Sequence, residues 1–97
     1  MPGVHRKTDI STGHDICPPI IPKTWSPDTF VNNLNVIRQT DTRSQHFCYY
    51  HKPHTGTYMG VHTVFVNNKC IQVKDDPIVD PFGIDKCLMC SLDTFVN

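Results

Sequence analysis

The chain repeats one short motif three times: Thr29-Phe-Val-Asn-Asn33, Val64-Phe-Val-Asn-Asn68 and Thr94-Phe-Val-Asn97. Aromatic and β-branched residues followed by asparagines predict a strand that runs into a tight turn. Asparagine suits such a turn because it tolerates the positive φ angles that the turn requires. Recurrence of one motif at intervals of this length indicates an array of similar units or a pseudo-symmetric fold.

A second motif occurs beside the first: Val36-Ile-Arg-Gln-Thr-Asp41, Ile71-Gln-Val-Lys-Asp-Asp76 and, at the start of the chain, Val4-His-Arg-Lys-Thr-Asp9. The chain therefore opens with the second half of a unit and closes with the first half of one. Three whole units exist only if the strand that starts near Gly3 lies beside the strand that ends at Asn97. The sequence thus predicts a closed threefold arrangement in which the two termini meet.

The composition predicts a single all-β domain that spans residues 1–97. Eight prolines and five glycines, without a sustained helical spacing of apolar residues, argue against substantial helix. Nine basic residues balance nine acidic ones, so the chain is a poor electrostatic match for nucleic acid or an anionic membrane. The apolar runs are too short to span a bilayer, and the first residues do not resemble a signal peptide. We therefore expect assembly in a cytosol.

Five cysteines and six histidines are unusually many for 97 residues. Most of them lie in the segments between the strand pairs, at residues 10–25, 42–60 and 77–91. A small domain commonly needs disulfides or a metal, and the odd cysteine number and a reducing cytosol favour the metal. Threefold closure would bring the three segments to one end, where four nitrogen and sulfur donors suit Zn²⁺, or iron as a second choice.

Five segments carry a resemblance to a known family: Gly13-His14, Cys17-Pro-Pro19, Ser26-Pro-Asp-Thr-Phe-Val-Asn-Asn33, Val61-His-Thr-Val-Phe-Val-Asn-Asn68 and Ser91-Leu-Asp-Thr-Phe-Val-Asn97. Together they resemble the PAAR-repeat proteins, in particular those at the central spike tip of T4-like contractile phage tails. The resemblance covers essentially the whole chain. It implies a cone of three pseudo-threefold β-hairpin repeats with a metal near the apex. The Pro-Ala-Ala-Arg tetrapeptide itself is absent, and the last connection contains additional residues.

The resemblance also implies a metal site of three histidines and one cysteine, namely His14, His46, His54 and Cys87. His51 is the alternative to His54, and Cys90 is the alternative to Cys87. Such a set leaves no open coordination position for substrate or water, so the metal is expected to be structural and the chain is not expected to be an enzyme. Zinc is the expected metal and iron the second choice.

The partner implied by the resemblance is the C-terminal end of a homotrimeric β-helical spike, capped by one copy of this chain. The strands around Phe30, Phe65 and Phe95 would form the contact. The assembled tip would lie in the virion at the end of the baseplate spike, after assembly in the host cytoplasm, and would touch the bacterial outer membrane only transiently while piercing it. The rival interpretations are a zinc-dependent module that binds nucleic acid or protein, and a small metallohydrolase.

The remaining histidines and cysteines have simpler interpretations. His5 and His62 occupy strand positions and are predicted to lie at the surface. The cysteines outside the predicted metal site are expected to be small buried apolar groups, namely Cys17, Cys48 and Cys70. Trp25 and the repeated phenylalanines are expected in the core or at an interface.

Overall fold

The computed structural model describes residues 2–13, 19–48, 51–81 and 83–96, with the backbone alone at 46–48 and 51–53. These residues form short strands and no helix, so the all-β prediction is confirmed for this part of the chain. The strands are β1 (Phe30–Val31), β2 (Leu34–Asn35), β3 (His46–Cys48), β4 (His51–His54), β5 (Thr57–Tyr58), β6 (Phe65–Val66), β7 (Lys69–Cys70), β8 (Pro77–Asp80) and β9 (Gly83–Lys86). Nowhere in the described ranges is there a helix long and apolar enough to cross a membrane.

Two copies of the first motif form hairpins with the same register. β1 pairs antiparallel with β2, and Phe30 lies opposite Asn35. β6 pairs in the same way with β7, and Phe65 lies opposite Cys70. The residues at the turns have φ angles between 54° and 65°, and they are Asn32, Asn33, Asn67 and Asn68. The predicted strand–turn–strand unit and its use of asparagine at positive φ are therefore confirmed.

The two ends of the chain make the third hairpin. Phe95 lies opposite Gly3 in an antiparallel bridge. The amide of Val4 donates to the carbonyl of Thr94 at 3.0 Å. In the β1–β2 hairpin, the residue after Asn35 makes the equivalent bond at the same distance. The predicted meeting of the termini is confirmed, because the hairpin that they form has the register of the other two.

The second motif closes a ring of three backbone segments. The amide of Ile37 donates to the carbonyl of His5 at 3.1 Å, the amide of Gln72 to the carbonyl of Ile37 at 2.9 Å, and the amide of His5 to the carbonyl of Gln72 at 2.9 Å. Three antiparallel bridges repeat the same relationship: Arg6 with Val36, Arg38 with Ile71, and Val73 with Val4. Because the third segment returns to the first, these residues have a closed, pseudo-threefold arrangement.

An aspartate closes the turn at the end of each segment of the ring. Each one accepts a hydrogen bond from the backbone amide three residues before it, and they are Asp9, Asp41 and Asp76. In two units the aspartate also pairs with an arginine, Arg6 at 2.8 Å and Arg38 at 2.9 Å. The third unit has Val73 at that position, and its aspartate instead pairs with His62 at 2.7 Å. The backbone hydrogen bond is thus repeated in all three units, whereas the side-chain partner of the aspartate differs in the third unit.

Two apolar clusters fill the interior beside this ring. The first contains one residue from each ring segment and one from β6, namely Val4, Val36, Ile71 and Val66. The second contains Ile37, Tyr58, Ile78 and Cys87, with Trp25 and Cys90 packed against it. The additional residues of the last connection form the β8–β9 hairpin, which pairs with β5 in the order β5–β8–β9. This three-stranded sheet breaks the threefold pattern.

His5 is not a surface residue, and the prediction that placed it there is wrong. Its side chain is fully buried, as are those of Ile37 and Gln72 at the equivalent positions. The alternation expected for a strand with one solvent face does not apply, because the ring covers both faces of these segments. His62 is half-buried beside Asp76, so its predicted exposure is only partly correct. The prediction for Cys70 is confirmed, since it is buried.

We predict that Asn68→Val lowers the free energy of unfolding by about 1–2 kcal/mol, since a β-branched residue is strained in the left-handed region. The side chain of Asn68 is exposed and its φ is 65°, so the substitution tests backbone strain with little loss of packing. Asn68→Gly is the control and should leave stability nearly unchanged, because glycine adopts this φ without strain. Urea unfolding measures both. Equal stability of the Val and Gly variants would contradict the prediction.

Candidate metal centre

The β3–β4 hairpin brings together two of the four predicted metal ligands in sequence register. His46 and His54 are paired Cα partners, and the next pair along the hairpin is Cys48 with His51, after an irregularity in β3. The backbone therefore places positions 46 and 54 opposite each other, and it places position 51 opposite a cysteine. This register favours His54 over His51 as the partner of His46.

The imidazole of His54 is buried beside a carboxylate. Its Nε2 lies 3.5 Å from Oδ2 of Asp80, whose side chain is fully buried. Asp80 lies at the tip of the β8–β9 hairpin, where it is paired with Gly83. Its Oδ1 accepts a hydrogen bond from the amide of Gly83 at 2.8 Å, which fixes the carboxylate at the end of the strand.

Arg43 occupies the space between two buried carboxylates. Its Nη2 donates to Oδ2 of Asp80, and its Nε lies 3.3 Å from Oδ2 of Asp85. The side chains of all three residues are fully buried. The hydroxyl of Ser11 donates to the same Asp85 oxygen at 2.9 Å. A polar layer thus replaces apolar packing at this level, and its charges are kept in place by ion pairing.

The same layer joins the segment that carries His14. The amide of Ser11 donates to the carbonyl of Ile20 at 2.9 Å, and the amide of Ile20 donates back to the Ser11 hydroxyl at 3.1 Å. These two bonds hold Ser11 beside Ile20, and Ser11 contacts Asp85. His14 itself lies outside the described residues. Its role as a metal ligand stays a prediction.

Cys87 lies in the second apolar cluster. Burial raises the pKa of its thiol well above the usual value, which opposes formation of the thiolate that binds a metal. Cys87 is two residues from Asp85, and the contacts lead from Asp85 through Arg43 and Asp80 to His54. The described side-chain packing of Cys87 is with this apolar cluster.

Cys90, the alternative sulfur ligand, contacts a different histidine. Its Sγ lies 3.6 Å from Nδ1 of His5, and burial raises the pKa of the thiol to about 12. His5 already uses Nδ1 to donate to the carbonyl of Met89 at 2.8 Å. Cys90 therefore packs against His5 of the ring and against the second apolar cluster.

Within the ranges that the structure describes, no group of three or more His, Cys, Asp or Glu side chains is arranged to hold a metal. His14 and the side chain of His46 fall outside those ranges, so this search covers only His54 and Cys87 of the predicted set. The donor chemistry of His54, an imidazole backed by a carboxylate, fits a metal ligand. The four-residue set stays a prediction.

The sequence analysis missed the polar layer made by Arg43, Asp80 and Asp85. A signal was present in the alternation along the last connection. Asp80 is two residues after the buried Ile78, and Asp85 is two residues before the buried Cys87, so both carboxylates share the inward face of their strands. Carboxylates on a buried face require a cation, which the sequence alone does not locate.

Comparisons with protein-family models and with curated proteins find no match to this chain.

Proposed function

We propose that this chain is a structural tip protein that caps and sharpens a trimeric β-helical spike of a contractile injection machine. One copy would sit on the C-terminal end of a homotrimer and help it pierce a bacterial outer membrane. The observation that carries the proposal is the closed ring of three equivalent segments within one chain. A single chain with three equivalent faces can contact three identical chains around one axis.

The contact surface is supported by three exposed phenylalanines at equivalent positions. Phe30, Phe65 and Phe95 are 55%, 61% and 45% exposed. Large aromatic side chains that are exposed to solvent at symmetry-related positions are typical of a surface that is covered in an assembly. Within the described chain, β1 pairs only with β2 and β6 only with β7, so each hairpin also offers a strand edge for pairing with a partner.

We infer that a structural metal, zinc or alternatively iron, ties the opposite end, with His14, His46, His54 and Cys87 as its proposed ligands. The pairing of His46 with His54 and the carboxylate at His54 support the histidine part of this set. The apolar surroundings of Cys87 do not support the sulfur ligand. Bound metal would supply folding free energy, on the order of 10 kcal/mol for small zinc domains. No catalytic step is proposed.

We propose that the tip acts in the virion, at the end of the baseplate spike. It would be assembled in the host cytoplasm and would contact the membrane only during penetration. The contact with the spike can be tested directly. In the double variant Phe30→Asp/Phe65→Asp, affinity for the spike trimer of the same virus should fall by more than 100-fold, because loss of two interface aromatics commonly costs 2 kcal/mol or more each. Native mass spectrometry should show one wild-type chain per trimer.

Ile84→Asp is the matched control for this experiment. Ile84 is 60% exposed, close to the exposure of Phe65, but it lies on β9 outside the threefold ring. It should bind the trimer like the wild type, and all three proteins should have similar melting temperatures. Three bound copies per trimer, or equal losses of affinity in the control and the double variant, would reject the proposed function.

A further inference from the structure

We propose that a surface cleft beside Cys90 binds an aromatic side chain of a partner polypeptide, with the ammonium of Lys74 against the face of the ring. This inference goes beyond the proposed function and does not depend on a metal. The cleft has a volume of about 670 Å³, and ligand pockets commonly have volumes of about 300–1,000 Å³. Cys90 and Lys74 line it together with four exposed apolar side chains, namely Leu88, Met89, Leu92 and Phe95.

The unit that contains β1 and β2 shows what fills the equivalent position. Trp25 and Cys90 each precede a serine, Ser26 or Ser91, whose amide donates at 2.9 Å to the carbonyl of the valine that opens a ring segment. In both units the serine hydroxyl accepts a hydrogen bond from the amide three residues later, at 3.1 Å and 3.0 Å. Trp25 and Cys90 also pack against the same apolar cluster. The two residues are therefore structurally equivalent, an indole in one unit and a thiol in the other.

A lysine occupies the same place beside both residues. The amides of Lys7 and Lys74 donate, at 2.7 Å and 2.9 Å, to the carbonyl of the residue just before the same two valines. Nζ of Lys7 lies 4.4 Å from the centroid of the Trp25 ring, which is a cation–π contact. At Lys74 the ring is missing, because Cys90 stands at the position of the tryptophan. The cleft therefore has the cation of an aromatic site without the aromatic group.

The surroundings of the cleft favour a polypeptide as the source of that group. Leu92 is 93% exposed, and Phe95 at the other wall belongs to the phenylalanine surface proposed for contact with the spike. Apolar surface thus continues beyond the ring position, where it can contact the residues on either side of an inserted side chain. A buried aromatic anchor with apolar neighbours is the usual centre of a protein–protein contact.

The first experiment titrates the wild-type protein with a capped glycine–tryptophan–glycine peptide and follows ¹H–¹⁵N NMR spectra. We expect this peptide to bind about 2–5-fold more tightly than the same peptide with leucine, the effect of a cation–π contact at an exposed site, and more tightly than indole alone. The amide signals of Lys74, Leu92 and Phe95 should shift, whereas that of Phe30 should not, because Trp25 fills the equivalent site. Equal binding of the leucine peptide would overturn the aromatic site, and equal binding of indole would overturn the polypeptide partner.

The second experiment changes the site itself. Cys90→Trp should place an indole of the chain in the cleft, so the tryptophan peptide should no longer bind at concentrations that saturate the wild type. Lys74→Met removes the charge and should weaken binding of the tryptophan peptide about 2–5-fold. Lys69→Met is the matched control, because this lysine lies on β7 outside the cleft, and it should bind like the wild type. Undiminished binding in folded Cys90→Trp, or equal binding by the two lysine variants, would overturn the inference.

Discussion

Replacement of Arg43 by alanine is expected to lower the free energy of unfolding by about 3–5 kcal/mol, the range for breaking a buried ion pair by removal of one partner. The guanidinium is fully buried between Asp80 and Asp85, and both carboxylates would stay buried without their cation. For a domain of this size such a loss corresponds to a decrease in melting temperature of about 12 °C or more. Thermal unfolding followed by circular dichroism measures it.

Two further variants separate loss of charge pairing from loss of a side chain. Lys23→Ala removes an exposed cation and should change the free energy of unfolding by no more than about 0.5 kcal/mol. The triple variant Arg43→Ala/Asp80→Asn/Asp85→Asn should recover part of the stability, because it no longer buries two carboxylates that have lost the guanidinium. A decrease of less than about 1 kcal/mol in Arg43→Ala, or no recovery in the triple variant, would contradict this account of the polar layer.

Acid is expected to destabilise the metal-free protein through His5. Burial lowers the pKa of its imidazole to about 4, against an ordinary value of 6.5, and the hydrogen bond to Met89 offsets only part of this effect. The unfolded chain therefore binds a proton in a pH range where the folded chain does not. The contribution of His5 to stability is complete above pH 6.5 and is lost as the pH falls towards 4.

The expected loss between pH 7.5 and pH 4.5 is about 2–3 kcal/mol for this residue alone. The measurement is urea unfolding at both pH values in the presence of a chelator, for the wild type and for His5→Gln. Glutamine is the control residue because Gln72 occupies the equivalent position of the ring and is also fully buried. The other titrating groups are common to both proteins, so the difference isolates His5. Parallel pH dependences in the two proteins would refute the prediction.

The repeated motifs made the architecture predictable to an unusual degree. The Phe-Val-Asn-Asn copies predicted the hairpins and their positive φ angles, and the half-motifs at the two ends predicted the pairing of Gly3 with Phe95. These features follow from the local conformational preferences of a motif that occurs three times in the sequence. When a turn residue and a strand pattern recur, each copy supports the interpretation of the others, and closure is required to complete the third unit.

The candidate site was much less predictable. The sequence pointed to histidines and cysteines in three connections, but it did not identify Arg43 or Asp80 as their buried neighbours. It placed His5 at the surface because a strand in which polar and apolar residues alternate usually has one solvent-exposed face. Its assignment of Cys87 to the metal stays a prediction, and it did not foresee that this residue packs in an apolar cluster. In each case the missing information is which groups lie on the other side of the strand.

The sequence by itself determined that this chain is an all-β protein of three similar units whose ends complete each other, because turn chemistry and strand composition are local properties. Only the tertiary structure decided which side chains share the interior. The ring covers both faces of its segments and so buries His5, and the added β8–β9 hairpin brings two carboxylates to Arg43. Burial and charge pairing depend on residues far apart in the chain, so they are fixed by packing and not by any motif.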